Sequence, residues 1–172
     1  ALPQAEHSLK AMLDGDTYGD ASAFMHLLAE GNILTMFRFS EFISPTPVDK
    51  RIFQLVMQDE ARHVSYGMQH LKWTIDHTPE RKEQLHSALD EGESITINQF
   101  DAALTECMIV LAGKGTKPEQ IAEGVKIVGQ LQIKQMQEYF QRLRRAGFED
   151  RIARSKFTPM LSQLGLWPDF AT

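Results

Sequence analysis

The sequence predicts an all-α protein. Apolar residues recur at spacings of three and four along almost the whole chain, and the sustained apolar–polar alternation that is typical of strands is absent. Of 172 residues, 42% are hydrophobic and 24% are charged, which is ordinary for a globular protein with one core. Long helical patterns separated by short turns favour antiparallel neighbours. We therefore expect one helical domain, residues 1–172, built as an antiparallel bundle.

Turn residues set the boundaries of the predicted helices. Prolines remove backbone donors and disfavour helical dihedrals in the preceding residue, so Pro45 and Pro47 end one long helix and begin the next. Thr46 is expected to cap the new helix, and Thr78 with Pro79 supplies a similar start. Gly92 and the β-branched run 95–97 leave open a bend or a break in the fourth helix. The predicted helices span about 3–13, 18–43, 48–77, 80–112, 118–146 and 158–166.

Charge and cysteine content exclude several classes of function. The formal net charge is -5, and Lys and Arg are interleaved with Asp and Glu, so no broad basic surface is available for nucleic acid or anionic lipid. No apolar run approaches the roughly 18 residues that span a bilayer, and no basic segment precedes an apolar one at the N-terminus. We expect a cytoplasmic protein. Cys107 is the only cysteine, so any metal must be held by carboxylates and histidines.

A possible metal-binding pair lies on the third helix. Glu60 and His63 are three residues apart and therefore share one helix face. They continue an apolar stripe that runs from Val56 through Gly67 to Leu71, where an unpaired charge is costly to bury. The spacing alone is weak, because a Glu three residues before a His arises by chance in roughly half of chains of this length.

A second acidic residue interrupts the apolar stripe of the preceding helix. Glu30 stands between Leu27 and Leu34, 15 residues before Pro45, and Glu60 stands 15 residues after it. At 1.5 Å per residue, both glutamates lie roughly 22 Å from the turn. An antiparallel hairpin therefore brings them face to face. Two carboxylates and an imidazole without a thiolate favour iron or manganese.

Several other residues are weaker candidates. His26, one turn before the glutamate of the second helix, is expected to be a hydrogen-bonded core histidine rather than a ligand. Tyr66 is expected to be a packed tyrosine rather than a proton or electron relay. Glu106 is a possible carboxylate on the fourth helix, although it has no histidine partner. The pair Glu83 and His86 repeats the motif spacing, but it adjoins a charged run and is expected on a solvated face.

The run Asp59-Glu60-Ala61-Arg62-His63, with Glu30 upstream, resembles the second half-site of the ferritin-like di-iron carboxylate proteins. This superfamily includes ribonucleotide reductase small subunits and di-iron oxygenases, and it uses one Glu from each of two helices and a Glu-x-x-His from each of the other two. The resemblance covers residues 23–71. It implies that Glu30, Glu60 and His63 are metal ligands, Glu60 being able to bridge two ions. It also implies that Asp59, supported by Arg62, hydrogen-bonds a histidine of the opposite half-site.

The second half of such a site is not found in this chain. After His63, the best-placed spacing is Gln132 and Gln135, which are poor substitutes for carboxylate or imidazole ligands. Three explanations stay open: an N-terminal half precedes this sequence, two copies complete the site as a homodimer, or the site is degenerate. The Asp before the Glu-x-x-His favours the first explanation. Since the chain opens without an initiator Met in sequence that already resembles a helix, we expect the C-terminal part of a longer protein.

The resemblance implies a non-haem di-iron oxidoreductase or oxygenase that activates dioxygen to oxidise a small-molecule substrate. The substrate is expected near Leu34, Phe37 and Val56, and electrons are expected from a separate reductase or ferredoxin. Iron is the expected metal, with manganese as the alternative. Two other functions stay open: an iron-oxidising storage protein that completes its site by dimerisation, and a metal-free helical interaction module.

Overall fold

The computed structural model describes residues 17–98, 102–163 and 165, together with Glu6 and Lys10. The regular elements of these residues are all helical, which confirms the all-α fold class. A π-helical segment, Ala23–Ala29, joins α1 to α2, and a 3-10 turn, Pro79–Arg81, precedes α4. The α-helices are α1 (Tyr18–Ser22), α2 (Glu30–Ile43), α3 (Pro47–His77), α4 (Lys82–Asn98), α5 (Ala102–Gly113), α6 (Pro118–Arg145), α7 (Arg151–Arg154) and α8 (Phe157–Gln163).

Parts of two predicted helices fall outside the described residues. Of the predicted helix at about 3–13, only Glu6 and Lys10 are described; their side chains form an ion pair of 2.7 Å. The predicted last helix, 158–166, corresponds to α8, and most of its last turn is likewise outside the description. Helix α7 was not predicted.

The turn between α2 and α3 forms as predicted. Thr46 is extended, and its side chain accepts a hydrogen bond from the backbone N–H of Asp49, while Pro47 opens the helix. The predicted cap at Thr78 is wrong, because its side chain makes no capping hydrogen bond and the 3-10 turn intervenes before α4.

Helices α2 and α3 pack as an antiparallel hairpin. The rings of Phe37 and Phe53, eight residues before and eight residues after Pro45, lie with their centroids 6.2 Å apart. The Gln54 side-chain amide also crosses between the helices and donates to Glu41 at 2.7 Å. The pair of phenylalanines shows that residues at equal distances from the turn face each other, as the two glutamates do.

The π-helical segment distorts the predicted helix 18–43 at its centre. The backbone N–H of Glu30 bonds to the carbonyl of Met25, five residues back rather than four. Such wider turns are rare and occur frequently at functional sites. Ala23 and Leu27 of this segment are fully buried, so the distortion lies within the core and immediately before the first candidate ligand.

The predicted helix 80–112 is two helices. α4 ends at Asn98 and α5 begins at Ala102, so the break follows the β-branched run 95–97 and not Gly92. Gly92 lies inside α4, where a Cβ would come within 2.3 Å of the Phe24 ring. This glycine therefore allows α4 to approach the π-helical segment.

Two groups of buried apolar side chains hold the helices together. The larger joins the π-helical segment to α3, α4, α6 and the C-terminal helices, and includes Leu27, Leu71, Leu89, Phe140 and Phe148. The smaller lies between α2, α5 and α6 and contains Phe39, Ala112 and Val128. Only four residues of the 31-residue helix α3 are buried: Val64, Gly67, Leu71 and Thr74. One face of α3 is therefore left uncovered by the described residues.

A buried polar group, the Glu93 cluster (Glu93, Tyr139, Arg151 and Ser155), ties α4 to α6 and the C-terminal helices. Glu93 and Arg151 are both fully buried and form an ion pair of 2.8 Å. The Tyr139 hydroxyl donates to Glu93 at 2.6 Å and the Ser155 hydroxyl at 3.0 Å. Burial and the Glu93 carboxylate raise the pKa of Tyr139 well above its usual range. Each member of the cluster has a polar partner within the protein.

Beside this cluster, the Glu83 and His86 pair divides between core and surface. Glu83 is exposed and pairs with Arg154 at 2.8 Å, as expected for a solvated face. His86 is only 1% exposed and bonds to Asp150 at 3.1 Å, so the prediction is wrong for this residue. Segment 148–152, which covers it, is distant in sequence and gives no local signal. Burial lowers the pKa of His86, although Asp150 opposes the shift.

Among the described residues, no single helix is both long and apolar enough to cross a membrane. Only the bent pair 79–97 and 102–113 reaches that length and hydropathy when taken together.

Candidate metal centre

Glu30, Glu60 and His63 converge between the hairpin helices. One carboxylate oxygen from each glutamate and one imidazole nitrogen all lie within 4.8 Å of one another. Within the described part of the chain, this is the only group of three or more His, Cys, Asp or Glu side chains that meets this closely. The predicted meeting of the two glutamates across the hairpin is confirmed.

The donor set and its spacing fit a metal ion. Metal–ligand bonds of about 2 Å place two ligands on opposite sides of an ion roughly 4 Å apart. Three ligands of one ion include pairs that lie closer still, roughly 3 Å apart. The three donor atoms lie within 4.8 Å of one another, so the side chains would have to close further around a bound ion. Carboxylate oxygens with an imidazole nitrogen suit iron and manganese.

The group is open on one side. Glu30 is 9% exposed, whereas the His63 side chain is 63% exposed and that of Glu60 is 15% exposed. The prediction of an apolar interior is therefore wrong for His63, and also for Val56, which is 37% exposed. The physical reason is that α3 is packed on one face only, so side chains one step around the helix reach solvent.

The two carboxylates oppose each other electrostatically. Burial and the charge of Glu30 raise the pKa of Glu60, while His63 and His26 lower it. The pair of carboxylates is thus under-neutralised by its protein neighbours. A cation at this position lowers the electrostatic free energy of both carboxylates.

His26 orients the first candidate ligand. It is 4% exposed, and its Nδ1 lies 2.5 Å from Oε2 of Glu30. Since a carboxylate accepts, the imidazole donates through Nδ1–H. This confirms the prediction of a hydrogen-bonded core histidine. Its buried Nε2 has no hydrogen-bond partner among the described residues.

A glycine makes room for this histidine. A Cβ at Gly67 would lie 2.0 Å from Cγ of His26, closer than any real Cβ contact. The imidazole therefore rests directly on the backbone of α3, one turn after His63. Sequence reasoning placed Gly67 on the correct face but had no signal for this contact.

A group of aromatic side chains borders the candidate site. Tyr66 is 60% exposed, so the prediction of a packed tyrosine is wrong. Its ring meets His26 edge-on at 6.3 Å and stacks with His70 at 6.4 Å. The Tyr18 ring lies edge-on to His70 at 5.1 Å.

Tyr18 is the residue near the site that sequence reasoning missed. The pKa of Tyr18 is raised, chiefly by partial burial of its hydroxyl. A hydrogen bond with Tyr66, the charge of ionised Tyr66 and the charge of Glu30 raise it further. Twelve residues of ideal α-helix would place Tyr18 roughly 120° around from Glu30. The π-helical segment between the two residues reduces this rotation, and the charge of Glu30 acts on Tyr18.

Three further predicted residues lie away from the group. Asp59 and Arg62 form an ion pair with each other, and their side chains are 69% and 71% exposed. Their predicted role toward an opposite half-site stays a prediction. Glu106 is exposed on α5 and is not part of the metal-ligand group, because the break before α5 directs that helix toward α6.

Of the three residues predicted to lie near the substrate, Leu34 lines a described cleft. This cleft of about 280 Å³ lies between α2, α3 and α6, and neither Phe37 nor Val56 lies on its wall. Val56 is exposed. The predicted position of the substrate stays a prediction.

An exposed apolar surface continues from the open side of the site. We call it the open face of α3; its large hydrophobic members are Val48, Ile52, Leu55, Val56, Tyr66 and Trp73, each at least 37% exposed. They follow one another at intervals of four, three, one, ten and seven residues, and at 100° per residue all of them fall on one side of the helix. His63 stands within this surface, and the exposed ion pair of Asp59 and Arg62 interrupts it between Val56 and Tyr66. Exposed apolar groups on one side of a helix are typical of an interaction site.

Comparison of this chain with protein-family models, with curated proteins and with solved structures finds no match.

Proposed function

We propose that this chain is the C-terminal half of a ferritin-like di-iron carboxylate protein, and that Glu30, Glu60 and His63 are its half of the ligand set. The observation that carries the proposal is the approach of two carboxylates and one imidazole to within 4.8 Å from mirrored positions on a helical hairpin. The function we propose is that of a non-haem oxidoreductase. When bound, a di-iron centre supplies the reduction of dioxygen and the oxidation of a substrate.

Each residue has a defined role under this proposal. Glu30 and Glu60 offer carboxylate oxygens, and His63 offers an imidazole nitrogen. His26 holds Glu30 through the 2.5 Å hydrogen bond, as the outer partners of metal ligands commonly do. Gly67 supports this arrangement by giving the His26 ring its space.

The open face of α3 supports an incomplete site. Three protein ligands cannot hold two metal ions, and the exposed side of His63 leads directly into an uncovered apolar surface. A pair of helices carrying a Glu and a Glu-x-x-His would cover this surface and supply the remaining ligands. Under this proposal those helices belong to a preceding part of the same protein.

The remaining components of the reaction follow from the same proposal. Electrons come from a separate reductase or a ferredoxin, and the substrate is a small molecule held near the completed centre. An iron-storing homodimer is the alternative that the open face also favours, because a second copy presents the same apolar surface and the same three ligands.

Ferrous iron binding under anaerobic conditions tests the proposal. We expect the 172-residue chain to bind iron, and we expect Glu60→Ala and Glu30→Gln to weaken binding at least tenfold, about 1.4 kcal/mol. Iron at 100 times its Kd should raise the free energy of unfolding of the wild type by about 2.7 kcal/mol. The variants should show little of this increase.

Glu106→Gln is the matched control, since this glutamate is exposed on a different helix, and it should bind iron as the wild type does. Equal iron binding by the wild type and Glu60→Ala would contradict the proposal. Mass measurement of the loaded protein separates the two forms of the site: one iron in a monomer supports a half-site chain, and two irons in a dimer support the storage protein.

A further inference from the structure

A cleft on the other flank of the hairpin carries a concentration of positive charge. It has a volume of about 280 Å³ and lies between α2, α3 and α6. On α3 it is lined by residues 61, 64, 65 and 68. Glu60 and His63, on the neighbouring side of the same helix, do not line it. The cleft is therefore distinct from the candidate metal centre.

Three arginines and one glutamate line the cleft, although the chain as a whole carries a net charge of -5. Glu138 is already paired, because Arg38 donates to it at 2.5 Å. The charge of Glu138 also acts on Arg142, so the three arginines of the wall share a single lining carboxylate. The cleft wall is thus strongly electropositive on a protein with an acidic average.

Arg142 is an unusual wall residue because it is 94% buried, with 6% of its surface exposed. Its Nε donates to the carbonyl of Leu27, in the π-helical segment, at 3.0 Å. Its buried Nη2 has no hydrogen-bond partner among the described residues. The guanidinium also lies against Gly31, where a Cβ would come within 2.0 Å of Nη2.

Burial lowers the pKa of Arg142 to about 10, against the opposing charge of Glu138. The group is therefore still a cation at neutral pH. Burying a charged group with a free donor is costly unless a partner is supplied. An anion bound in the cleft would supply such a partner.

Apart from Ser65 and Gln141, the uncharged part of the wall is apolar. Leu34 and Val64 are buried and Met68 is partly buried, and all three line the cleft. The volume is at the lower end of small-molecule sites, which are roughly 300 Å³ and larger. A ligand that fits both parts of the wall has one anionic group and a short hydrocarbon segment.

We propose that this cleft binds a short-chain carboxylate, with the carboxylate held by Arg142 and Arg145 and the hydrocarbon chain packed on Leu34, Val64 and Met68. Guanidinium groups recognise carboxylates through paired, charge-assisted hydrogen bonds, which a lone hydroxyl or amide does not reproduce. The inference does not depend on metal binding at Glu30, Glu60 and His63.

Calorimetric titration of the 172-residue chain with sodium hexanoate, hexanamide and inorganic phosphate tests this site. Hexanoate should bind at least tenfold more tightly than hexanamide, which has the same chain without the charge. It should also bind more tightly than phosphate, which lacks the chain. Equal binding of hexanoate and hexanamide would overturn the anion site, and tighter binding of phosphate would overturn the assignment to a carboxylate.

Variants connect the binding to the arginines. Arg145→Gln changes an exposed side chain and should fold normally while weakening hexanoate at least fivefold. Arg142→Gln should weaken it further, but this buried substitution also risks the fold, so Arg145→Gln decides. Arg51→Gln, an exposed arginine near the start of α3, should bind hexanoate unchanged. Wild-type affinity in Arg145→Gln, or an equal loss in Arg51→Gln, would overturn the proposal.

Discussion

The Glu93 cluster and the candidate metal centre both place acidic side chains inside a helical protein, but they differ in the partners that these carboxylates have. In the Glu93 cluster, a fully buried carboxylate forms an ion pair with an arginine and accepts hydrogen bonds from a tyrosine hydroxyl and a serine hydroxyl. At the candidate metal centre, Glu30 accepts one hydrogen bond, from His26. Glu60 and His63 approach each other without a hydrogen bond, since Nδ1 of His63 lies 3.7 Å from Oε2 of Glu60.

This difference in the number of protein partners distinguishes a polar group that stabilises the fold from one that can bind a ligand. A carboxylate with a complete set of protein partners stabilises the fold and has no capacity left for a ligand. Two carboxylates that raise each other's free energy, and face an open side, retain that capacity. Stability and binding experiments should therefore respond in opposite ways at the two places.

The largest expected effect is the loss of stability in Glu93→Ala. It removes the buried carboxylate of the pair and leaves the fully buried Arg151 with only the half-exposed Asp90 as an acidic partner. Breaking a buried ion pair costs about 3–5 kcal/mol, and the remaining pair with Asp90 places the expected cost at the lower end, about 3 kcal/mol. Glu60→Ala in metal-free protein should change the free energy of unfolding by less than about 1 kcal/mol, because it also removes the repulsion of Glu30. Urea unfolding followed by circular dichroism measures both.

Glu91→Ala is the control for this pair, since Glu91 is exposed on the same helix as Glu93 and should change stability by no more than about 0.5 kcal/mol. If Glu60→Ala lowered the free energy of unfolding as much as Glu93→Ala does, the distinction between the two regions would be refuted.

A second, smaller effect is expected at the glycine beneath His26. Gly67→Ala forces a methyl group into the imidazole, and overpacking of this kind costs about 1–3 kcal/mol. It should also weaken iron binding, because His26 can no longer hold Glu30. Thermal unfolding and iron titration measure the two consequences.

Gly129→Ala provides the comparison, since a Cβ there has no neighbour within 4 Å and Gly129 lies inside α6. Replacing a helical glycine by alanine at such a position should stabilise the protein by about 0.5–1 kcal/mol. If both alanine variants behaved alike, the close contact at Gly67 would be refuted.

The smallest effect expected is a dependence of stability on pH through His86. Burial lowers the folded-state pKa of His86, so the unfolded chain binds its proton more readily than the folded protein does. The contribution is fully present above the unfolded pKa of about 6.5 and is lost as the pH falls below it toward the folded-state pKa. Urea unfolding between pH 8 and pH 5 should show this decline.

Asp150 adds to the decline at lower pH. Despite its partial burial, hydrogen bonds from Lys82 and His86 lower its pKa. His86→Gln should flatten the slope near pH 6, whereas His77→Gln, which changes an exposed histidine, should keep it. An unchanged slope in His86→Gln would assign the pH dependence to other groups.

The main features of the hairpin were predicted correctly from local sequence. The turn at Thr46 and Pro47 and the two long helices depend on residues within a few positions of one another. The meeting of Glu30 and Glu60 then follows from counting 15 residues to either side of Pro45 at a constant rise per residue. Helix boundaries were less certain where no proline or glycine marked them, as at the break between α4 and α5.

The helical fold class and the meeting of two glutamates and a histidine across one hairpin follow from the order of the residues, because helix periodicity and turn position are local properties. The π-helical segment, the contact of His26 with Gly67, the exposure of His63 and the burial of His86 and Arg142 arise only when the helices pack. Each of these depends on which distant surface covers a side chain, and burial by distant residues leaves no periodic signal in the sequence.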